Sequence, residues 1–243
     1  MKRALILLLV LLLSVSCALA EQPYEAAVRN VRKTLESHGY PVSDNAFAMA
    51  LEQISVMQEW YAQSGIIVTV NQHDMVYQLL LCEGIGEYDY DALTFTPTSD
   101  KIYVFDAEFF NIEGMYTEFM QGVQAIMPEP EISAVREDLS GMNEYLEGSR
   151  KVFFECNGHT YVVTLKSQGD WLNAEIIDFL NDVLKVEGFE KRLHIVSDVW
   201  DQMVFLMYGS EEEAAALRHL MGAEAPQESG NPLLDWLGNL LGI

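Results

Sequence analysis

Apolar residues at helical spacing dominate the first third of the chain. In the segment 24–37 they fall on one face, and Gly39 and Pro41 follow as residues that end helices. A second stripe starts after Ser43, a residue suited to cap a helix, and its members are Phe47, Leu51, Ile54 and Tyr61. We therefore predict an N-terminal helical hairpin within a mainly helical region, residues 21–95.

Beyond residue 95 the pattern changes to short apolar strands that alternate with amphipathic helices, and it does so twice. Each copy reads strand, helix, strand, strand, beginning at 101–105 in the first copy and at 159–163 in the second. The copies also match in aromatic residues, Tyr103 with Tyr161 and Phe119 with Phe179. We predict an α+β fold in which a tandem β-α-β-β domain, residues 96–222, forms one antiparallel sheet with helices on one face.

The two copies meet at Asn157-Gly158, a dipeptide typical of two-residue β-hairpin turns. Such a turn places Cys156 opposite His159 and Phe154 opposite Tyr161. Because these residues share one face with other apolar residues, we expect that face to be buried.

The chain begins with the three parts of a secretory signal. Lys2 and Arg3 precede an apolar run, and a small-residue site ends at Ala20. The run is about half the ~20 residues needed to cross a bilayer, so no transmembrane segment is predicted for the mature chain. We predict a cleaved signal peptide at residues 1–20 and a secreted or extracytoplasmic protein. Lipid anchoring at Cys17 is the alternative, although Ser14 stands where a lipobox has Leu.

The charge balance excludes two classes of partner. The chain has 37 acidic and 14 basic residues, a formal net charge of −23. DNA, RNA and anionic lipid surfaces are bound mainly through Lys and Arg, so such a field repels them. We expect no nucleic acid and no acidic membrane among the partners.

The residues that could support chemistry do not form a recognisable site. Export allows a disulfide between Cys82 and Cys156, and the alternative is two buried thiols. Cys156 beside His159 resembles an activated nucleophile, yet both face the apolar side and no third residue positions them. Within the acidic and aromatic stretch 84–97, alternating carboxylates suggest calcium but lack the spacing of an EF-hand loop. No catalytic residue, metal site or cofactor is predicted.

The C-terminal end carries a separate apolar segment. A polar linker, residues 223–231, leads to a predicted amphipathic helix, residues 232–243, whose apolar residues are Leu233, Trp236, Leu237, Leu240 and Leu241. The helix either folds back on its own domain or docks in the groove of a partner.

Several short motifs lie in the predicted repeat. They are Thr96-Pro97-Thr98-Ser99-Asp100, Phe105-Asp106, Met115-Tyr116, Leu193-His194 and Val204-Phe205. In these motifs the region 96–222 resembles exported proteins of anaerobic Gram-positive bacteria that carry no named activity. The resemblance implies export alone and assigns a role to no residue.

These observations favour an exported, non-catalytic module that binds an unknown protein, peptide or component of the cell envelope. The alternative is a secreted hydrolase of unknown substrate, which would use scattered carboxylates or the pair Cys156 and His159.

Overall fold

The computed structural model describes residues 24–197 and 202–223, which contain six helices and eight strands. The α+β class is therefore confirmed. The helices are α1 (Glu25–Ser37), α2 (Asp44–Gln63), α3 (Gln72–Gly84), α4 (Met115–Ile126), α5 (Glu175–Val186) and α6 (Glu211–Met221). The strands are β1 (Glu87–Asp89), β2 (Thr94–Thr96), β3 (Ile102–Asp106), β4 (Ile132–Asp138), β5 (Ser149–Cys156), β6 (His159–Lys166), β7 (Arg192–Ile195) and β8 (Met203–Gly209). Across these described ranges, every helix is too short or too polar to pass through a lipid bilayer.

The helical layer is formed by α1, α2, α3 and α6, which share one core. Helix α2 begins at a side-chain cap, since the Ser43 hydroxyl accepts a hydrogen bond from the Ala46 amide at 3.1 Å. The backbone N–H of Ser43 donates to Glu83 at the end of α3, at 2.8 Å. Because the start of α2 meets the end of α3, these two helices run antiparallel.

Six of the eight described strands form two three-stranded antiparallel sheets, which corrects the prediction of one sheet. One sheet has the order β3-β8-β7 and the other has the order β4-β5-β6, while β1 and β2 form a separate hairpin. In terms of the predicted repeat, each sheet combines the first strand of one copy with the last two strands of the other. The repeat itself stays a prediction.

The Asn157-Gly158 turn accounts for the position of β6 in this exchange of strands. Asn157 and Gly158 have φ values of 52° and 79°, the positive values that a two-residue hairpin turn needs. The turn pairs β6 with β5 in the predicted register, Cys156 with His159 and Phe154 with Tyr161. The turn therefore holds β6 of the second copy beside β5 of the first, while β8 pairs with β3.

The sheet β3-β8-β7 lies between two cores, and this explains why β3 and β8 are apolar along almost their whole length. On β3, Ile102 and Val104 face the helical layer, whereas Tyr103 and Phe105 face the core around α4 and α5. The sheet β4-β5-β6 instead buries one face, so its exposure alternates along β5. That face closes the second core with Val152, Phe154, Cys156 and Leu165.

Candidate functional site

Cys156 and His159 are paired across the turn as predicted, but they do not make a nucleophile. Cys156 is buried, and burial together with the charge of Glu187 raises the pKa of its thiol to about 11. The His159 side chain is 71% exposed and its Nδ1 lies 2.8 Å from Glu187 Oε1. The expectation that His159 is buried is wrong, because a position beside the turn lets the ring reach that carboxylate. A thiol that stays protonated at neutral pH lacks the reactive thiolate.

Cys82 and Cys156 lie in different cores. Cys82 belongs to the helical core and Cys156 to the core around α4 and α5. Both are free thiols, so the disulfide that the sequence allows is not formed in the structure. His194 contacts Glu211 and the Gly209 carbonyl oxygen. Within residues 24–197 and 202–223, no group of three or more His, Cys, Asp or Glu residues could hold a metal ion.

A cleft of about 340 Å³ lies where the β1–β2 hairpin meets β3 and α4. Aromatic side chains supply most of its wall, and they are Tyr88, Tyr90, Phe95, Tyr103, Phe105, Phe109 and Phe110. Three carboxylates also line it, Asp106, Glu108 and Glu118, and no lysine or arginine does so among the described residues. The cleft is therefore aromatic and acidic.

Three of these rings meet edge to face at the mouth of the cleft. The centroids of Tyr88 and Tyr90 are 4.8 Å apart, and those of Tyr90 and Phe110 are 5.5 Å apart with an interplanar angle of 83°. Tyr88 and Phe110 complete the set at 6.4 Å and 76°. We call Tyr88, Tyr90 and Phe110 the ring trio. Tyr90 and Phe110 are about two-thirds exposed.

The floor of the cleft is buried and closely packed. The Tyr103 ring lies against Gly122 of α4, where a side chain would collide with it. Tyr103 also contacts Phe95 and Phe105, with centroid distances of 5.6 and 4.9 Å. The glycine thus allows the helix to approach the strand closely enough to close the bottom of the cleft.

Glu118 is a carboxyl group of the cleft with a strongly raised pKa. It lies on the flank of α4 beside the buried stripe, and partial burial raises the pKa of its carboxyl group to about 7. Its charge in turn contributes to a raised pKa of Tyr88, after the larger effect of desolvation. The Tyr88 hydroxyl is buried and has no hydrogen-bond partner among the described residues.

A second acidic group forms the rim. Asp106 Oδ1 accepts hydrogen bonds from the Glu108 amide at 2.9 Å and from Gln202 Nε2 at 2.8 Å. The neighbouring charge of Asp170 is the main cause that raises the pKa of Glu108, followed by desolvation. The rim therefore concentrates negative charge, and none of the described residues that line the cleft is a lysine or arginine.

The sequence singles out the aromatic and acidic stretch 84–97, but it does not predict the cleft that residues of this stretch line. The alternating carboxylates of this stretch, Glu87, Asp89 and Asp91, suggest calcium ligands. In the structure, Asp89 Oδ1 instead accepts hydrogen bonds from the backbone amides of Asp91 and Ala92 within a turn. The available signal was the tyrosine on each side of Asp89, because these two rings enter the cleft. Phe110 and Glu118 come from a different part of the chain, and no spacing links them to the tyrosines.

The other predicted features lie outside the described residues. They are the signal peptide, Cys17, and the apolar C-terminal residues Leu233, Trp236, Leu237, Leu240 and Leu241. Comparison with protein-family models, curated proteins and solved structures gave no match for this chain.

Proposed function

We propose that this protein is an exported, non-catalytic binding protein whose cleft holds an organic ammonium group. The observation that carries the proposal is the ring trio beside Glu118, in a cleft whose described lining has no lysine or arginine. Aromatic rings attract a cation to their faces, and several rings at right angles to one another surround it from more than one side.

The shape of the trio favours a cation over a flat ligand. A flat ring stacks on a single exposed aromatic face, whereas the trio has interplanar angles of 61° to 83°. An alkylammonium group is compact and presents methyl or methylene groups in all directions, which suits such a corner. Glu118 and the rim carboxylates supply the opposite charge, and the chain as a whole has a net charge of −23.

Choline and 3,3-dimethyl-1-butanol provide the direct test, because they have the same shape and differ in the positive charge. We expect choline to bind with an affinity that isothermal titration calorimetry can measure, and its neutral analogue to bind at least tenfold more weakly. Equal binding of choline and its neutral analogue would show that the cleft is an apolar pocket that does not recognise positive charge. Failure of choline and of longer alkylammonium ions to bind would overturn the proposal.

Substitutions locate the binding site. Tyr90→Ala and Phe110→Ala each remove one exposed ring and should weaken choline binding by about 5- to 30-fold, the equivalent of about 1–2 kcal/mol. Tyr145→Ala is the matched control, since Tyr145 is an equally exposed aromatic residue that does not line the cleft. If Tyr145→Ala weakens binding as much as the other two, the site is elsewhere.

A hydrolase is the second candidate, and one observation favours it. A carboxyl group with a pKa of about 7 is suited to act as a general acid near neutral pH. A hydrolase that uses Glu118 should lose turnover in Glu118→Gln and keep its affinity for substrate. A binding protein should show the reverse, with no turnover in either form and weaker cation binding in the variant.

A further inference from the structure

A second apolar surface lies on α2, away from the cleft. Met49, Val56 and Trp60 recur at helical spacing on the side opposite the buried Phe47 and Ile54. Trp60 is 61% exposed and Val56 is 59% exposed, and with Met49, Met57 and the polar residues Glu52 and Gln53 they line an open depression of about 510 Å³ on α2. We call Met49, Val56, Met57 and Trp60 the α2 stripe. An exposed apolar surface bordered by polar side chains is typical of a site of contact.

The described chain ends beside the start of α3, on the same side of the helical layer as the Trp60 end of the stripe. Since α2 and α3 run antiparallel, the end of α2 near Trp60 lies at the start of α3. There His73 donates from Nδ1 to the carbonyl oxygen of Leu220, at 3.0 Å, and so fixes the end of α6. Ala223, the last described residue, therefore leaves the fold on the Trp60 side of the helical layer.

The remaining chain has the length and the chemistry to cover the stripe. The linker from 223 to 232 reaches at most about 30 Å when extended. A helix over residues 232–243 would be about 18 Å long, and the stripe from Met49 to Trp60 covers about 17 Å at 1.5 Å per residue. The segment also supplies an apolar face, with Leu233, Leu237 and Leu240 on it and Trp236 beside it.

The geometry points to the chain's own segment 232–243 as the occupant of the α2 stripe. The segment packs its leucine face against Val56 and Trp60 and removes both apolar surfaces from water. This contact is independent of the cleft and of the ligand proposed for it. This placement favours the first of the two sequence-based alternatives, a segment that folds back on its own domain.

Methionine methyl groups give a direct readout in the full exported chain. Met49 and Met57 lie in the stripe, whereas Met120 and Met207 are buried in the two cores. With ¹³C-methyl methionine, Leu237→Asp should shift the Met49 and Met57 resonances and leave Met120 and Met207 in place. Asn239→Asp is the matched control, since it adds the same charge on the polar face of the segment and should shift none of them.

Limited proteolysis tests the same contact from both sides. Leu237→Asp and Val56→Asp should each increase the rate of cleavage within residues 224–243, on the order of tenfold, because each releases the segment. The double variant should be cleaved no faster than either single variant, since both changes remove one shared contact. Asn239→Asp should leave the rate unchanged.

Two results would overturn the inference. In the first, Leu237→Asp leaves the Met49 and Met57 resonances where they are, which means that the segment does not touch the stripe. In the second, those resonances depend on protein concentration and light scattering gives the mass of a dimer. The occupant is then a second copy of the chain.

Discussion

Arg150 Nη1 donates a hydrogen bond to Glu137 Oε2 at 2.8 Å, and the two side chains are only 2% and 5% exposed. The same guanidinium nitrogen donates to the carbonyl oxygen of Ile112, also at 2.8 Å. Glu137 Oε1 accepts from the backbone amide of Thr117 in the first turn of α4, at 2.9 Å. The pair thus joins β4 and β5 to the start of the helix that forms one wall of the cleft.

Breaking this pair should be costly. Arg150→Met leaves the Glu137 carboxylate buried without its cation, and loss of one partner of a buried ion pair costs about 3–5 kcal/mol. We expect a decrease of that size in the free energy of unfolding, measured by urea denaturation. Arg136→Met is the matched control, because Arg136 lies on the neighbouring position of β4, is exposed, and stacks over Phe153 at 3.6 Å. Its loss should cost about 1 kcal/mol or less.

The double variant Arg150→Met with Glu137→Leu separates the charge from the packing. When both charges are replaced by apolar groups, the desolvation cost disappears and most of the stability should return. A double variant that is no more stable than Arg150→Met would show that the hydrogen bonds to Ile112 and Thr117 matter more than the charge pair.

Local features of this fold could be predicted from the sequence, and the pairing of distant strands could not. Asn157-Gly158 determined the register of β5 and β6, and Ser210 with Glu213 formed the capping box that their spacing indicates. The division into two sheets depends on which distant strand pairs with β3. Hydrophobic patterning does not encode that choice, because β3 is buried on both faces.

The cleft was harder to predict for a related reason. Its ring trio combines two residues of the β1 region with Phe110, which follows β3, and Glu118 comes from α4. A periodic pattern reveals the buried face of an element, yet these side chains stand at the edges of their elements. Only the packing of α4 on β3 brings them together.

The cleft should bind cations more tightly at higher pH. Burial raises the pKa of Glu118 to about 7, so the carboxyl group is mostly neutral at pH 5.5 and mostly charged at pH 8.5. Choline affinity, measured by calorimetry across this range, should rise with pH in the native protein and stay flat in Glu118→Gln. Glu113→Gln is the control, since Glu113 is exposed outside the cleft and its loss should preserve the rise.

The same carboxyl group should affect stability in the opposite direction. Because the pKa of Glu118 is higher in the folded protein than its ordinary value of 4.5, the native state binds the proton more tightly than the unfolded state. Its contribution to the free energy of unfolding therefore decreases as pH rises from about 4.5 through 7. In Glu118→Gln this part of the pH dependence should disappear from urea denaturation curves. An unchanged pH dependence would mean that the carboxyl titrates normally.

The state of the cysteines can be settled by counting thiols. Burial raises the pKa of both Cys82 and Cys156 to about 11, so neither should react readily with Ellman's reagent in the native protein. In denaturant without reductant, a chain cleaved after Ala20 should release the signal of two thiols, and its Cys156→Ser variant should release one. A reading of zero in the unmodified protein would establish the disulfide between Cys82 and Cys156.

The N-terminus of the protein from the culture medium tests the predicted export and the predicted cleavage of the signal peptide. Cleavage after Ala20 should give a chain that begins with Glu21, and N-terminal sequencing of protein from the culture medium would identify it. Cys17→Ser should leave the site and the amount of secreted protein unchanged, because Cys17 is removed with the signal. Lipid anchoring would instead block the N-terminus at Cys17 and hold the protein in the membrane fraction, and Cys17→Ser would then release it. The two outcomes differ in the same fractionation experiment, so a single variant decides between secretion and anchoring.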